Sequence, residues 1–215
     1  MGETFSTLGI VGYDTEPIRN TLTEMGRPTD KIAIVFPGLG YTCQMPLLYY
    51  GTKVLLEKGY DVLWVEYNYN RDEYRYKSDD KKLEWQRFDA EAAFKAAMAN
   101  KNYKKVLLMG KSLGTVALAH LASSHRDVVG KVIWLTPLLG HDDVYAKIKE
   151  NAKDQLFIIG TRDPFFQKDR IDEIRNLGGK FTVVKDGDHS LEVEKDIGRS
   201  QEALRKVIGE VENFC

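Results

Sequence analysis

The chain has 215 residues, 43% hydrophobic and 29% charged, which is enough apolar material for one domain with a substantial core. Its 31 Lys and Arg nearly balance 32 Asp and Glu, leaving a net charge of −1. That balance gives no basic footprint for nucleic acid and no charged patch for a membrane surface.

Two cysteines, Cys43 and Cys215, have no metal-binding spacing and make no disulfide framework, as expected of a chain in a reducing compartment. The start, Met1-Gly2-Glu3-Thr4-Phe5-Ser6, lacks the basic and apolar stretches of a secretory leader. No apolar run approaches the roughly 18 residues needed to cross a bilayer. The expectation is a soluble, cytoplasmic protein with residues 1–215 as a single domain.

Residues 3–25 read as one or two short strands about a turn at Tyr13-Asp14-Thr15-Glu16-Pro17, an antiparallel edge where proline is tolerated. Ile32-Ala33-Ile34-Val35-Phe36 is the first strongly buried strand, and it opens into Pro37-Gly38-Leu39-Gly40-Tyr41. Leu47, Gly51, Val54 and Leu55 recur at spacings of three and four, which predicts a helix that Gly59 ends. Asp61–Tyr67 is the next strand. Residues 67–82 form a polar loop with Tyr67, Tyr69, Tyr74 and Tyr76, either an aromatic wall for a substrate or a solvated segment. A helix from about Asp80 to Asn100 follows, with Trp85, Phe88 and Ala92 expected to face inward.

Lys105–Met109 is a short apolar strand, and Thr115–Ala122 has the small apolar composition of a helix packed tightly on a sheet. Between them stands Gly110-Lys111-Ser112-Leu113-Gly114. A strand, a sharp turn and a helix around G-x-S-x-G make a nucleophile elbow, with the serine hydroxyl projected from the turn and a helix N-terminus behind it. Gly110-Lys111-Ser112 also matches the end of a phosphate-binding loop, but that motif needs a glycine where Lys105 stands. The nucleotide reading is therefore rejected.

Lys131–Pro137 is a further strand, and the short connection 138–154 has room for one helix. Gln155–Gly160 is a strand followed by Thr161-Arg162-Asp163-Pro164. A helix near 167–177 precedes the last strand, Lys180–Val184, which opens into Gly187-Asp188-His189-Ser190. Leu204, Val207, Ile208 and Val211 mark a terminal helix. Apolar strands alternating with helices predict an α/β fold, a mainly parallel twisted sheet with helices on both faces. Right-handed crossovers bring the strand C-terminal ends, where ligands bind, to one edge. Ser112, Asp163 and His189 all fall on that edge.

The order Ser, Asp, His resembles the α/β-hydrolase family over nearly the whole chain. In that resemblance Gly110-Lys111-Ser112-Leu113-Gly114 is similar to the elbow, Asp163 to the acid, His189 to the base and Gly38-Leu39-Gly40 to the first oxyanion loop. The loop reads Phe-Pro-Gly-Leu-Gly where many members begin His-Gly, and the 138–154 stretch is too short for the large lid of the family's lipases. The compact outline resembles lidless members similar to dienelactone hydrolases, although those carry a cysteine nucleophile.

The roles have a chemical logic. A serine hydroxyl is a weak nucleophile and needs a base, and histidine can take its proton and return it to the leaving group. An aspartate fixes the imidazole tautomer. Backbone N–H groups stabilise the oxyanion: Leu113 supplies one, and Leu39 or Gly40 the second. Asp142 and Asp143 are rival acids, and Asp188 is a weaker one. His120 and His125 read as structural or exposed, and His141-Asp142-Asp143 as a polar helix start rather than a metal cluster. Lys111 is expected to pack its stem and pair with a carboxylate. The expected function is a serine hydrolase acting on a small acyl substrate without metal or cofactor. An acyltransferase, a C–C lyase with the same residues, or a binding protein on this fold are the alternatives.

Overall fold

Short apolar runs alternate with longer amphipathic ones along the chain. In the computed structural model, which describes residues 2–215, this alternation becomes eight strands and seven α-helices among the described residues. Met1, the first residue of the N-terminal stretch read above, lies outside the described residues. The strands are β1 (Thr4–Ser6), β2 (Arg19–Glu24), β3 (Lys31–Phe36), β4 (Asp61–Glu66), β5 (Lys105–Lys111), β6 (Val129–Leu135), β7 (Gln155–Gly160) and β8 (Lys180–Val184). The helices are α1 (Pro46–Glu57), α2 (Asp72–Arg75), α3 (Asp79–Asn100), α4 (Gly114–Ser124), α5 (Asp142–Glu150), α6 (Lys168–Asn176) and α7 (Ile197–Phe214).

The strands form one sheet in the order β1-β2-β4-β3-β5-β6-β7-β8. β1 and β2 are antiparallel at one edge, and every pairing from β4 to β8 is parallel. Successive side chains of a strand point to opposite faces. Ile32, Ile34 and Phe36 of β3 accordingly join a cluster with Phe94 of α3 and Leu118 of α4. Ala33 and Val35 join a second cluster with Leu48 and Leu55 of α1 and Val207 and Val211 of α7. The five side chains from Ile32 to Phe36 are fully buried, and a Val, Ile or Phe buried this way contributes roughly 1.5–3 kcal/mol.

The parallel order carries Phe36, Lys111, Leu135, Gly160 and Val184, the last residues of their strands, to one edge of the sheet. β5 runs two residues beyond Met109, so Gly110 and Lys111 are still paired, with Trp134 and Leu135 of β6. The connection from β6 to β7 carries only the nine residues of α5 as a helix.

Two expectations about the aromatic segments are met only in part. Helix α3 buries Trp85, Gln86, Asp89, Ala90, Ala93, Phe94 and Ala97, a stripe of period four. Phe88 is 51% exposed and Ala92 only partly covered. The apolar spacing misled because the stripe contains a carboxylate: Asp89 turns inward to accept hydrogen bonds from the Tyr13 N–H (2.7 Å) and the Tyr69 hydroxyl (2.9 Å). The tyrosine segment is in part the wall of a cavity, which Tyr67 and Tyr69 line, and in part a buried cluster. Tyr69 and Tyr74 are buried with Trp85 in a small core of their own, with Tyr67 stacked 4.4 Å from Tyr69, whereas Tyr76 is exposed.

Candidate active site

Ser112 lies between β5 and α4 with only Leu113 before the helix begins. Its φ of +51° is in the left-handed region, which a side chain with a Cβ enters at a cost of about 1–2 kcal/mol. The turn is held on both sides. The Ser112 N–H donates to the Leu135 carbonyl (3.0 Å), and its own carbonyl accepts from the Thr115 N–H (2.8 Å) and the Thr115 hydroxyl (2.6 Å). The flanking glycines permit the close approach of the backbone. A Cβ on Gly110 would stand 2.6 Å from Leu118 and one on Gly114 2.2 Å from the Phe36 carbonyl oxygen.

Asp163 follows β7 in a tight turn, with its side chain fully buried. One carboxylate oxygen, Oδ1, accepts from the Phe165 N–H at 2.8 Å, and Oδ2 lies 2.8 Å from His189 Nδ1. An ionised carboxylate only accepts, so Nδ1 carries the proton of this bond and leaves Nε2 free to accept. Nε2 is 2.7 Å from Ser112 Oγ. The imidazole itself is 30% exposed, with the Phe165 ring beside it at 5.4 Å.

The loop that carries His189 is shaped by its own polar groups. Asp188 Oδ1 accepts from the Ser190 and Glu192 N–H groups, and the Asp188 N–H donates to the Glu192 carbonyl. The Gly187 carbonyl accepts from the Arg162 N–H and sits where a Gly160 Cβ would come within 2.0 Å. The turn after β7 and the loop after β8 are thereby locked together, and the two residues they carry meet. Asp188 is spent on its own turn, which removes it as a partner for the imidazole.

The rival carboxylates are elsewhere. Asp142 pairs with Arg170 (2.6 Å) and Asp143 with Arg87 (2.7 Å). His120 and His125 both reach Glu91, at 2.9 and 3.0 Å, away from Ser112. His141 is the exposed residue before α5, and no group of three metal-capable side chains is found among the described residues.

Of the three backbone groups expected to face an oxyanion, Leu113 directly follows Ser112, and the Gly38–Tyr41 loop lies close by. A Cβ on Gly38 would be 3.2 Å from Ser112 Cβ. That loop is closed by the Tyr41 N–H donating to Gly38 O and braced by the Tyr67 hydroxyl donating to Pro37 O. Among the described residues no acceptor pairs with the N–H of Leu39, Gly40 or Leu113. A cavity of about 240 Å³ adjoins this loop, lined also by Tyr67, Asn68 and Asn70. A second, of about 280 Å³, lies among Ala122, Arg126 and Glu150 and includes none of these groups.

Lys111 departs from its expected role. It is 3% exposed, and its ammonium donates to the His189 carbonyl (2.9 Å) over the ring of Tyr41 (4.6 Å) rather than to a carboxylate. Burial lowers its pKa from 10.5 to about 8, against the opposing pull of Asp163 and Asp188. Sequence reasoning also missed Thr115, the Phe165 N–H and the brace that the Tyr67 hydroxyl gives Pro37 O. A threonine three residues after the elbow serine is a signal that could have been read, as a hydroxyl within reach of the turn's carbonyl.

A family profile described as alpha/beta hydrolase domain matches residues 30–215. Among solved structures, an esterase of Pyrococcus furiosus, Pf2001, is 17% identical with a TM-score of 0.74, over 98% of this chain and 91% of that one. Est1E of Butyrivibrio proteoclasticus, solved with ferulic acid bound, is 14% identical with a TM-score of 0.71, over 95% and 96%. XC6422 of Xanthomonas campestris, described as an a/b serine hydrolase without lid, is 16% identical with a TM-score of 0.72, over 100% and 94%. At these identities the likeness is one of fold. No curated protein sequence matches the chain.

Proposed function

Because this chain belongs to the α/β-hydrolase family, we propose that it is a serine hydrolase that cleaves an ester or related acyl bond of a small molecule through an acyl-enzyme. One observation carries the proposal: the continuous path from Asp163 Oδ2 through the His189 ring to Ser112 Oγ, with steps of 2.8 and 2.7 Å. Ser112 is the nucleophile, His189 the base and Asp163 the group that orients the imidazole.

As Ser112 Oγ bonds to the acyl carbon, its proton passes to His189 Nε2. The carbonyl electrons move onto oxygen, where the N–H of Leu113 and that of Leu39 or Gly40 receive the charge. The bond to the leaving group then breaks, and His189 returns the proton to it. Water repeats the sequence against the acyl-enzyme and frees Ser112. No step needs a metal or cofactor.

The β6–β7 connection, with a single nine-residue helix, is too short for a large lid, and a site whose imidazole is 30% exposed favours a small, soluble acyl substrate. We take the chain as a single domain without a large lid, on a twisted sheet covered on both faces. Support comes from the short β6–β7 connection and the two apolar clusters. Cys43 and Cys215 are both free thiols, which fits the cytoplasm as its location. A panel of p-nitrophenyl esters and thioesters of increasing chain length tests the proposal. The expected result is faster turnover of short chains than of long ones, without interfacial activation. Preference for emulsified long chains would overturn the assignment of substrate size.

A further inference from the structure

We propose that Lys111 is a positioning residue: its ammonium ties the loop that carries His189 to the Gly38–Tyr41 loop and so fixes the imidazole over Ser112. This rests on the roles given above to Ser112 and His189.

The position of the side chain is unusual for a lysine. It ends β5 one residue before Ser112 and is almost fully buried, yet its hydrogen-bond acceptor among the described residues is a main-chain carbonyl. Burying an ammonium without a contacting carboxylate costs stability, and an apolar side chain of similar volume would fill the site at less cost. What the ammonium supplies instead is a fixed point between two loops that are far apart in sequence.

Each end of the tie is itself constrained. The acceptor is the carbonyl of His189, the residue whose ring spans Ser112 and Asp163, so a shift of that carbonyl moves the ring. The loop around it holds Asp186, Leu191 and Lys195 at φ near +60°, conformations that local preference does not select and that need external anchors. On the other side the Tyr41 ring cannot swing away. Its hydroxyl accepts from the Leu47 N–H at the start of α1 (3.0 Å), and its N–H donates to Gly38 O (3.2 Å). A cation on the face of a held aromatic ring is attracted by the ring's quadrupole.

The charged groups that face Lys111 are Asp163 from the turn after β7 and Asp188 from the His189 loop, with Tyr41 from the loop after β3. Both carboxylates are committed, Asp163 to His189 and Phe165, and Asp188 to Ser190 and Glu192. They act on the ammonium at a distance. Its proton is lost near pH 8, where the attraction to the ring weakens.

The test compares wild type with Lys111→Met on p-nitrophenyl acetate and follows the downfield proton signal of His189 Nδ1 by NMR. The substitution is expected to lower kcat by about 10²-fold with little change in KM, the effect of a reacting group displaced by about 1 Å. It should also shift or broaden the Nδ1 signal. Wild-type kcat should fall through a limb near pH 8 that the variant lacks. An unchanged kcat and an unmoved signal in a folded variant would overturn the proposal. Should Lys111→Met not fold, Tyr41→Leu, which removes the ring under the ammonium, is read in the same way: a lower kcat with a shifted Nδ1 signal is expected, and no change in either overturns the proposal. Failure of the underlying functional reading looks different. Ser112→Ala would then hydrolyse the ester like wild type, while the response of the His189 signal to Lys111 would remain.

Discussion

Gly114 packs against the Phe36 carbonyl so closely that a Cβ would meet the oxygen at 2.2 Å. This contact sets how near α4 comes to β3 and therefore where the turn bearing Ser112 sits. Backbone cannot yield as a side-chain end can. Gly114→Ala is expected to lose stability at the upper end of the usual overpacking range, about 3 kcal/mol. Urea unfolding measures it, and a loss below about 1 kcal/mol would mean that α4 relaxes freely.

Asp163 and His189 are 26 residues apart and joined at 2.8 Å. Asp163→Asn should keep the fold while offering His189 a donor in place of an acceptor, which favours the wrong tautomer. The expected loss in kcat is up to about 10⁴-fold. Asp142→Asn and Asp143→Asn, which weaken only the pairs with Arg170 and Arg87, should leave kcat unchanged. A fall in kcat in either of those variants, with Asp163→Asn active, would move the acid to α5.

Lys111 makes stability depend on pH with a definite sign. Its pKa is about 8 in the folded chain against the ordinary 10.5. Between these values the unfolded chain holds a proton that the folded chain has released, so folding gains as pH rises. Below about 8 the cost of the buried charge is fully present, and above 10.5 it is gone. At about 1.4 kcal/mol per unit, the total is on the order of 3 kcal/mol. Urea unfolding of wild type and Lys111→Met below and above this window isolates it. The stability of wild type minus that of the variant should rise with pH, and a flat difference would show an ordinary titration.

Asp89 is buried while holding the Tyr13 N–H and the Tyr69 hydroxyl, and burial raises its pKa against those hydrogen bonds. Asp89→Ala leaves both donors unpaired, for an expected loss of about 1–3 kcal/mol. The readout is urea unfolding beside esterase activity, with activity per folded molecule preserved. Lost activity in a stable variant would link this small core to the site.

What was legible in the sequence follows from how each feature is encoded. The parallel strands are written as continuous apolar runs, and Ile32–Phe36, Gln155–Gly160 and Lys180–Val184 lie in strands close to their expected bounds. Ser112 and His189 stand out because a turn motif and a loop position mark them, and the structure sets the His189 ring between Ser112 and Asp163. The inward face of α3 was misread because Asp89 is buried through polar partners that no apolar spacing records. The role of Lys111 was hidden for a similar reason. Its acceptor is a main-chain carbonyl 78 residues away, and a carbonyl has no signature in the sequence.

The central claim, that Ser112 is the nucleophile, is tested most directly by labelling the folded protein with a fluorophosphonate and locating the adduct by peptide mass spectrometry. The expected result is one adduct, on the peptide that contains Ser112, absent from Ser112→Ala while that variant stays folded. The same variant should lose about 10⁶-fold in kcat, the usual effect of removing such a serine. Labelling that persists in Ser112→Ala, or an adduct on another serine, would contradict the account.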